Sequence, residues 1–385
     1  MTPSQGALTL FLCGDVMTGR GVDQVLPHPV PPNLYESYVR DARVYVELAE
    51  ARNGPIRAPL GFDAIWGDAL AALKQAAPDV RLINLETSIT TSEAWWRAKG
   101  IHYRMHPANA PCLTAARINC CALANNHVLD WGYAGLRETL ATLRRLGIAT
   151  AGAGEDVDTA LRPAVLDLGS RGRVIVFSFG EDGSGVPPDW AATADTPGVD
   201  YLPDLSPSTA RRIGERVASV KRAGDVVIAS IHWGGNWGYR ALPEHRAFAH
   251  ALIEKAGVDL IHGHSSHHPR GIEVHQGHLI LYGCGDFLND YEGISGYEDF
   301  RGDLTLMYFA SVDPATGRLV GLRMLPMQLR QLKLHRASSA DAGWLCGVLD
   351  REGRFLGTGT RLDETGALVL QWEQASWPAA PPLSP

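Results

Sequence analysis

Short apolar runs alternate with stretches of helical periodicity through about the first 290 residues, the pattern of an α/β sheet with helices on its faces. Strands are predicted at 8–12, 80–83, 120–123, 226–231 and 258–261, and helices at 38–51, 63–76, 133–146, 206–223 and 244–256. In the second helix Ile65, Ala69, Leu70 and Leu73 share one face; Gly147 is placed to end the third, and Ser206 to cap the fourth. Hairpins are predicted where 164–168 and 174–179 flank Gly169-Ser170-Arg171-Gly172, around Gln276-Gly277 within 272–282, and across Pro314-Ala315-Thr316-Gly317 within 304–329. A last helix falls near 343–349, and the Pro- and Ala-rich tail after Trp377 reads as disordered. Segments 26–34 and 181–201, rich in Pro, Gly or Asp, read as long loops of the kind that form lids or substrate walls. The expected organisation is one domain over 1–335, with a helix-and-strand extension and the tail over 336–385.

Composition changes this picture little. Of 385 residues, 45% are hydrophobic and 20% charged, as in ordinary globular proteins, and the length allows a large buried core. A formal net charge of -7 argues against nucleic acid as a partner, because phosphate binding needs a concentrated excess of Lys and Arg. The six cysteines show no C-x-x-C pair, and Cys13, Cys120 and Cys121 lie in apolar runs, which suits buried thiols in a reducing compartment. Residues 1–12 carry no basic segment with a long apolar stretch, and no run approaches the ~18 apolar residues of a membrane helix. A cytoplasmic location without a membrane span is the expectation.

The chemistry sits where the strands end. Phe11-Leu12-Cys13 leads to Gly14-Asp15-Val16-Met17, Leu82-Ile83 to Asn84-Leu85-Glu86, and Ala122-Leu123-Ala124 to Asn125-Asn126-His127 with Asp130 following. The strand at 226–231 leads to His232-Trp233-Gly234-Gly235, and Leu260-Ile261 leads to His262-Gly263-His264-Ser265-Ser266-His267. Open α/β sheets bind ligands beyond the carboxyl ends of their strands, so five such ends deliver polar groups to one place. Buried there, these groups need pairing or a metal. Carboxylate, amide and imidazole without thiolate favour Mn, Fe or Zn. Asp15, Glu86, Asn126, His232, His264 and His267 are too many ligands for one open zinc and fit two divalent ions about 3.5–4 Å apart. The expected allotment is Glu86 as bridge, Asp15 and His267 on one ion, and Asn126, His232 and His264 on the other. His127 suits proton transfer, oriented by Asp130.

Each part has a plainer reading. Gly14-Asp15 alone is a turn, Asn125-Asn126-His127 alone a helix cap, and His232 alone a core histidine. Two clustered histidines in a Gly-rich loop rarely serve packing, and the co-occurrence at successive strand ends carries the argument. His262 and His268 read as neighbours, and His245, His250, His275 and His278 as solvated. Asp286 and Asp290 either line the site or belong to a turn.

These segments, with Gly19-Arg20, Gly132 and Ile272-Glu273 through Gly285-Asp286-Phe287, resemble the capsule-biosynthesis CapA family of the calcineurin-like metallophosphoesterase superfamily, over roughly residues 8–329. The segments 14–29, 103–132 and 262–293 resemble the polyglutamine synthesis accessory proteins of that family. The resemblance implies a four-layer α/β/β/α sandwich with mixed sheets, and a role in making, moving or trimming a poly-glutamate or polyglutamine polymer. Two departures stand out: Met17 replaces the histidine of the superfamily's Asp-x-His motif, and Glu86 replaces an aspartate.

Three chemistries follow. The first is a two-metal hydrolase in which water attacks a phosphoryl or acyl centre and His127 protonates the leaving group. The second, also implied by the resemblance, is a peptide epimerase inverting Cα of a ribosomal peptide, with His127 or a carboxylate moving the α-proton. The third is a non-catalytic, polymer-binding accessory protein working with polymer-synthesis or peptide-modification partners. Trp95, Trp96, Trp131, Trp233 and Trp237, with Arg20, Arg97, Arg104, Arg240 and Arg270, suit a peptide-like or anionic chain; core tryptophans and solvated arginines explain each singly as well.

Overall fold

The computed structural model describes residues 6–373, so the tail after Trp377 lies outside the described residues. The alternation of side chains along the strands decides the layering. In Leu8–Val16, Leu8, Leu10 and Leu12 face one side and Phe11 and Cys13 the other, and both sets are buried. This strand sits inside a sheet ordered Thr358–Leu362, Leu368–Trp372, Leu319–Arg330, Leu304–Val312, Leu8–Val16, Val80–Leu85, Cys120–Ala122 and Ala149–Ala151. The last four are mutually parallel, whereas the C-terminal strands add antiparallel.

A second sheet runs Tyr201–Leu202, Arg173–Glu181, Val226–His232, Leu260–His264, His278–Leu281 and Ile272–His275, with a parallel centre. Leu10, Leu12 and Leu82 of the first sheet meet Val174, Ile228 and Leu260 of the second in one apolar layer. On the outer face of the first sheet, Cys121 and Leu123 pack with Leu73, Leu136 and Leu143 of its helices. On the outer face of the second, Ile175 and Val227 pack with Ile213, Val217, Phe248 and Leu252. The result is the expected four-layer α/β/β/α sandwich of the metallophosphoesterase type.

Helix Pro207–Val220 begins where Ser206 Oγ accepts the Thr209 N–H at 3.2 Å. Gly257, at φ 71°, closes Pro243–Ala256. Gln276 and Gly277 both take positive φ, as a two-residue hairpin turn of this hand requires. The helix predicted at 63–76 is broken. A single turn, Ala64–Trp66, precedes Ala69–Ala76, because Asp68 N–H donates to Leu334 O at 2.9 Å and ties the segment to strand Lys333–Arg336. The helix predicted at 38–51 starts only at Arg43, since the preceding residues form an Asn33–Asp41 bridge that closes the 26–34 loop. At the C-terminal side, Ser338 caps helix Ser339–Gly353, longer than the predicted 343–349.

Strand register assembles the polar cluster. Asp15 lies opposite Asn84 on one side and Asp286 on the other, and His232 lies opposite His264. The close approach at Asp15 depends on the glycine before it: a Cβ on Gly14 would stand 1.5 Å from the Gly285 carbonyl oxygen, which accepts the Asp15 N–H at 3.0 Å. Gly14→Ala is therefore expected to lower stability by about 1–3 kcal/mol, as overpacking does. Urea unfolding measures the loss; an unchanged midpoint would show that the two strands part without cost.

Candidate metal centre

Asp15, Glu86 and Asp286 are buried at the ends of three different segments, and one carboxylate oxygen from each lies within 4.8 Å of the others. Asp15 belongs to a second group of the same compactness with His232 and His264. Asn84 Nδ2 donates to Asp15 Oδ1 at 2.7 Å, and the Ser265 N–H donates to Oδ2 at 3.3 Å. Asn125 in turn donates to Asn84 Oδ1 at 3.0 Å and to Leu85 O at 2.9 Å. His267 Nδ1 lies 2.9 Å from Asp286 Oδ1. Five of the six sequence-predicted ligands thus come together, Glu86 Oε1 standing 3.9 Å from His232 Nε2, while Asn126, whose carbonyl Lys99 bonds, keeps its Oδ1 buried and without a hydrogen-bond partner.

The histidine tautomers follow from a chain of hydrogen bonds. A carbonyl only accepts, so His262 Nε2–H donates to Cys13 O at 2.7 Å. Burial pushes the His262 pKa down to about 4, leaving Nδ1 to accept the Ser230 hydroxyl at 3.0 Å. That hydroxyl's one proton is then used, so its oxygen accepts His264 Nε2–H at 2.9 Å, and His264 Nδ1 is a bare lone pair. His232 Nδ1, 2.8 Å away, donates to it. His232 Nε2 is left bare, buried and without a hydrogen-bond partner. Such outer hydrogen bonds are what fix ligating imidazoles in metal sites.

His127 stacks on Tyr103 with centroids 3.7 Å apart, and its Nε2 points toward Glu86 Oε1 at 3.8 Å. Asp130 Oδ2 holds Nδ1 at 2.6 Å and also accepts the Tyr103 N–H. Lys99 joins this group unannounced by any motif, bonding the Asn126 carbonyl and placing Nζ 2.6 Å from Asp130 Oδ1. Burial, then the Lys99 charge, pulls the His127 pKa well below its usual value. The 181–201 loop packs against the His232 strand end: Ser184 Oγ donates to His232 O, Glu181 accepts the Gly234 N–H, and buried Trp190 packs edge-on against Trp96.

Burial and the carboxylates' effect on one another set the electrostatics. Burial, reinforced by Asp286, lifts Asp15 to about 7, and burial with Asp15 and Asp286 lifts Glu86 well above the carboxylate range. Burial also keeps His232 and His264 neutral. Burial would lower His267, but Asp286 outweighs it and raises the pKa. Three ligand-type atoms, Glu86 Oε2, Asn126 Oδ1 and His232 Nε2, are buried with no hydrogen-bond partner. These residues fit divalent metal.

Sequence reasoning left Asp286 between a site and a turn, and register places it beside Asp15. It offered no signal for Lys99 or Ser230. Met17 is buried with its sulfur accepting the Gly19 N–H. His245 is not solvated: it is buried and stacked on Trp233 at 4.8 Å, because the start of helix Pro243–Ala256 folds back over the indole. Arg20, Arg104 and Arg270 are buried too; Arg20 pairs with Glu36 and Asp290, Arg104 covers Trp131, and Arg270 donates to Gly235 O.

A sandwich that gathers such groups at the ends of its parallel strands belongs to the metallophosphoesterase class of fold. Within that class the chain belongs to the bacterial capsule synthesis protein PGA_cap family, which it matches over residues 9–291. It is 50% identical over 358 residues to a probable polyglutamine synthesis accessory protein of Mycobacterium tuberculosis, covering 93% of this chain and 94% of that one. It is 25% identical over 341 residues to the PGA biosynthesis protein CapA of Bacillus subtilis, covering 88% and 75%. Over 287 residues it is 26% identical to the capsule biosynthesis protein CapA of Bacillus anthracis, covering 74% and 60%. Among the described residues no helix is long and apolar enough to cross a membrane.

The raised Glu86 pKa sets a sign. Its folded value lies above the unfolded one, so in metal-stripped protein the carboxylate costs stability as pH rises above the ordinary carboxylate range. Glu86→Gln is expected to stabilise stripped protein at pH 7–8 by on the order of 1–2 kcal/mol, while removing the stabilisation that added Mn or Zn confers. Thermal unfolding with and without chelator checks both; a stripped variant less stable than the parent would refute the charge argument.

Proposed function

We propose that this chain is a binuclear metal-dependent hydrolase acting on a poly-glutamate, polyglutamine or other peptide-like chain in the biosynthesis of such a polymer. The observation that supports metal most directly is the trio of buried, unpartnered ligand atoms on Glu86, Asn126 and His232. Asp15, Asp286 and His267 would hold one ion and Asn126, His232 and His264 the other, with His264 Nδ1 exchanging its hydrogen bond from His232 for the ion, and Glu86 would serve both. On this reading Asp286 supplies what Met17 does not. Bound there, Mn, Fe or Zn would supply Lewis acidity and lower the pKa of water.

The remaining work falls to side chains of this chain. Asp130 accepts the His127 Nδ1–H, so Nε2 is the atom that takes up or gives a proton toward the cleft. In a hydrolytic cycle Nε2 receives the proton of attacking water and returns it to the leaving group. Trp237, stacked on Tyr297 at 3.9 Å and 5.3 Å from His267, gives a flat wall for a peptide-like chain, and exposed Arg97 and Arg240 suit its carboxylates. The names of the relatives support the polymer, and partners in its synthesis.

The neutral His127 also favours a second reading, peptide epimerisation, in which Nε2 accepts an α-proton. Incubation of metal-loaded protein with poly-glutamate and peptides in labelled water separates them: oxygen-18 in a product marks hydrolysis, and deuterium at Cα without cleavage marks epimerisation. Neither label at full metal loading leaves a non-catalytic accessory role and overturns the enzyme. His127→Ala is expected to keep its metal and to lower turnover by about 10²–10⁴-fold. Unchanged turnover would remove His127 from the mechanism.

A further inference from the structure

We propose a second metal site, for one Zn²⁺, at the seam between helix Pro243–Ala256 and strand Ile272–His275, formed by His250, Glu273 and His275 with Glu254 beside them. One ligand atom from each of the first three lies within 4.8 Å of the others. The two imidazoles stack face to face, 3.7 Å between centroids and 6° between planes. His250 Nε2 is 3.0 Å from Glu273 Oε1, and His275 Nε2 is 2.7 Å from Glu254 Oε1.

The place is remote from the strand-end cluster. His278, paired with His275, directly precedes Leu279, which lies opposite Leu260 at the start of Leu260–His264, whereas His264 lies at its end. The two sites therefore occupy opposite ends of one sheet and share no residue.

The cluster is built rather than incidental. Glu273 is 6% exposed, and Tyr282 O–H donates to its Oε2 at 2.6 Å, aiming Oε1 at the histidines. A hydrogen-bonded carboxylate of this kind is the usual support of a metal ligand. His250 and Glu254 stand one helical turn apart and face the same way. Two imidazoles and a carboxylate, with a further oxygen in reach, are a zinc donor set. At zinc–nitrogen distances of 2.0–2.1 Å, tetrahedral ligand atoms stand about 3.3 Å apart, so the two part-exposed histidine rings would open from their parallel stack to turn both lone pairs on the ion, while buried Glu273 stays fixed. Arg246, 3.5 Å from Glu273 Oε1, competes for the carboxylate. An ion here would pin the helix that follows the His232 loop to the hairpin of the same sheet.

The test uses full-length protein stripped by chelator, with the first centre disabled by Asp15→Asn and Glu86→Gln. Equilibrium dialysis against Zn²⁺ should find one equivalent bound, with a raised thermal midpoint. Adding His275→Ala, or separately the more exposed His250→Ala, should abolish both, while circular dichroism shows the fold kept. Cobalt in place of zinc should give the absorption of a tetrahedral site. No zinc in the disabled parent, or one equivalent persisting in both histidine variants, would overturn the proposal. Because the first centre is already disabled, neither result bears on the function proposed for it.

Discussion

Three carboxylates held together out of water are the constraint on which the rest of this structure depends. Asp15, Glu86 and Asp286 come from distant parts of the chain, and strand pairing gives them no room to separate. Their ion-pair neighbours are imidazoles: His264 for Asp15, His127 and His232 for Glu86, and His267 for Asp286. The nearby permanent cations are engaged elsewhere, Lys99 by Asp130 and Arg20 by Glu36 and Asp290. Mutual repulsion and burial lift Asp15 and Glu86 toward their neutral forms. Divalent cations bound there would relieve that repulsion.

The shell behind the carboxylates is rigid for the same reason. Asn84 holds Asp15 and Asn125 holds Asn84 by side-chain amides, and Ser230 sets which nitrogen of His264 and His262 carries hydrogen. None of these groups can rotate without leaving a buried polar atom unpaired. Solvent is met at the rim, where half-buried Trp237 stacks on exposed Tyr297. The result is a stiff floor beneath an aromatic rim.

Much of this could be read along the chain. Strands at 80–83, 120–123 and 226–231 were legible because continuous apolar runs bounded by polar clusters mean strands buried on both faces, and the ligand motifs were legible because they follow directly. Three features were not. The break at Gly67 arises from a hydrogen bond to Leu334, far along the chain. His245 looks solvated on its helix until the Trp233 indole is placed beneath it. Lys99 lies in an aromatic, polar loop with no periodicity to mark it, and only the packing of that loop brings its ammonium to Asp130.

The division has one physical cause. Local pattern, a period of two or of 3.6 and the chemistry of the residues that interrupt it, is written in sequence because it depends on neighbours within a few positions. It determined the α/β class, the strand ends and the residue types of the cleft. Register and sheet order depend on contacts between residues hundreds of positions apart, through backbone groups that every residue shares. Only the tertiary structure could decide that Asp15 lies between Asn84 and Asp286, that His232 faces His264, and that three buried ligand atoms find no partner among their own side chains.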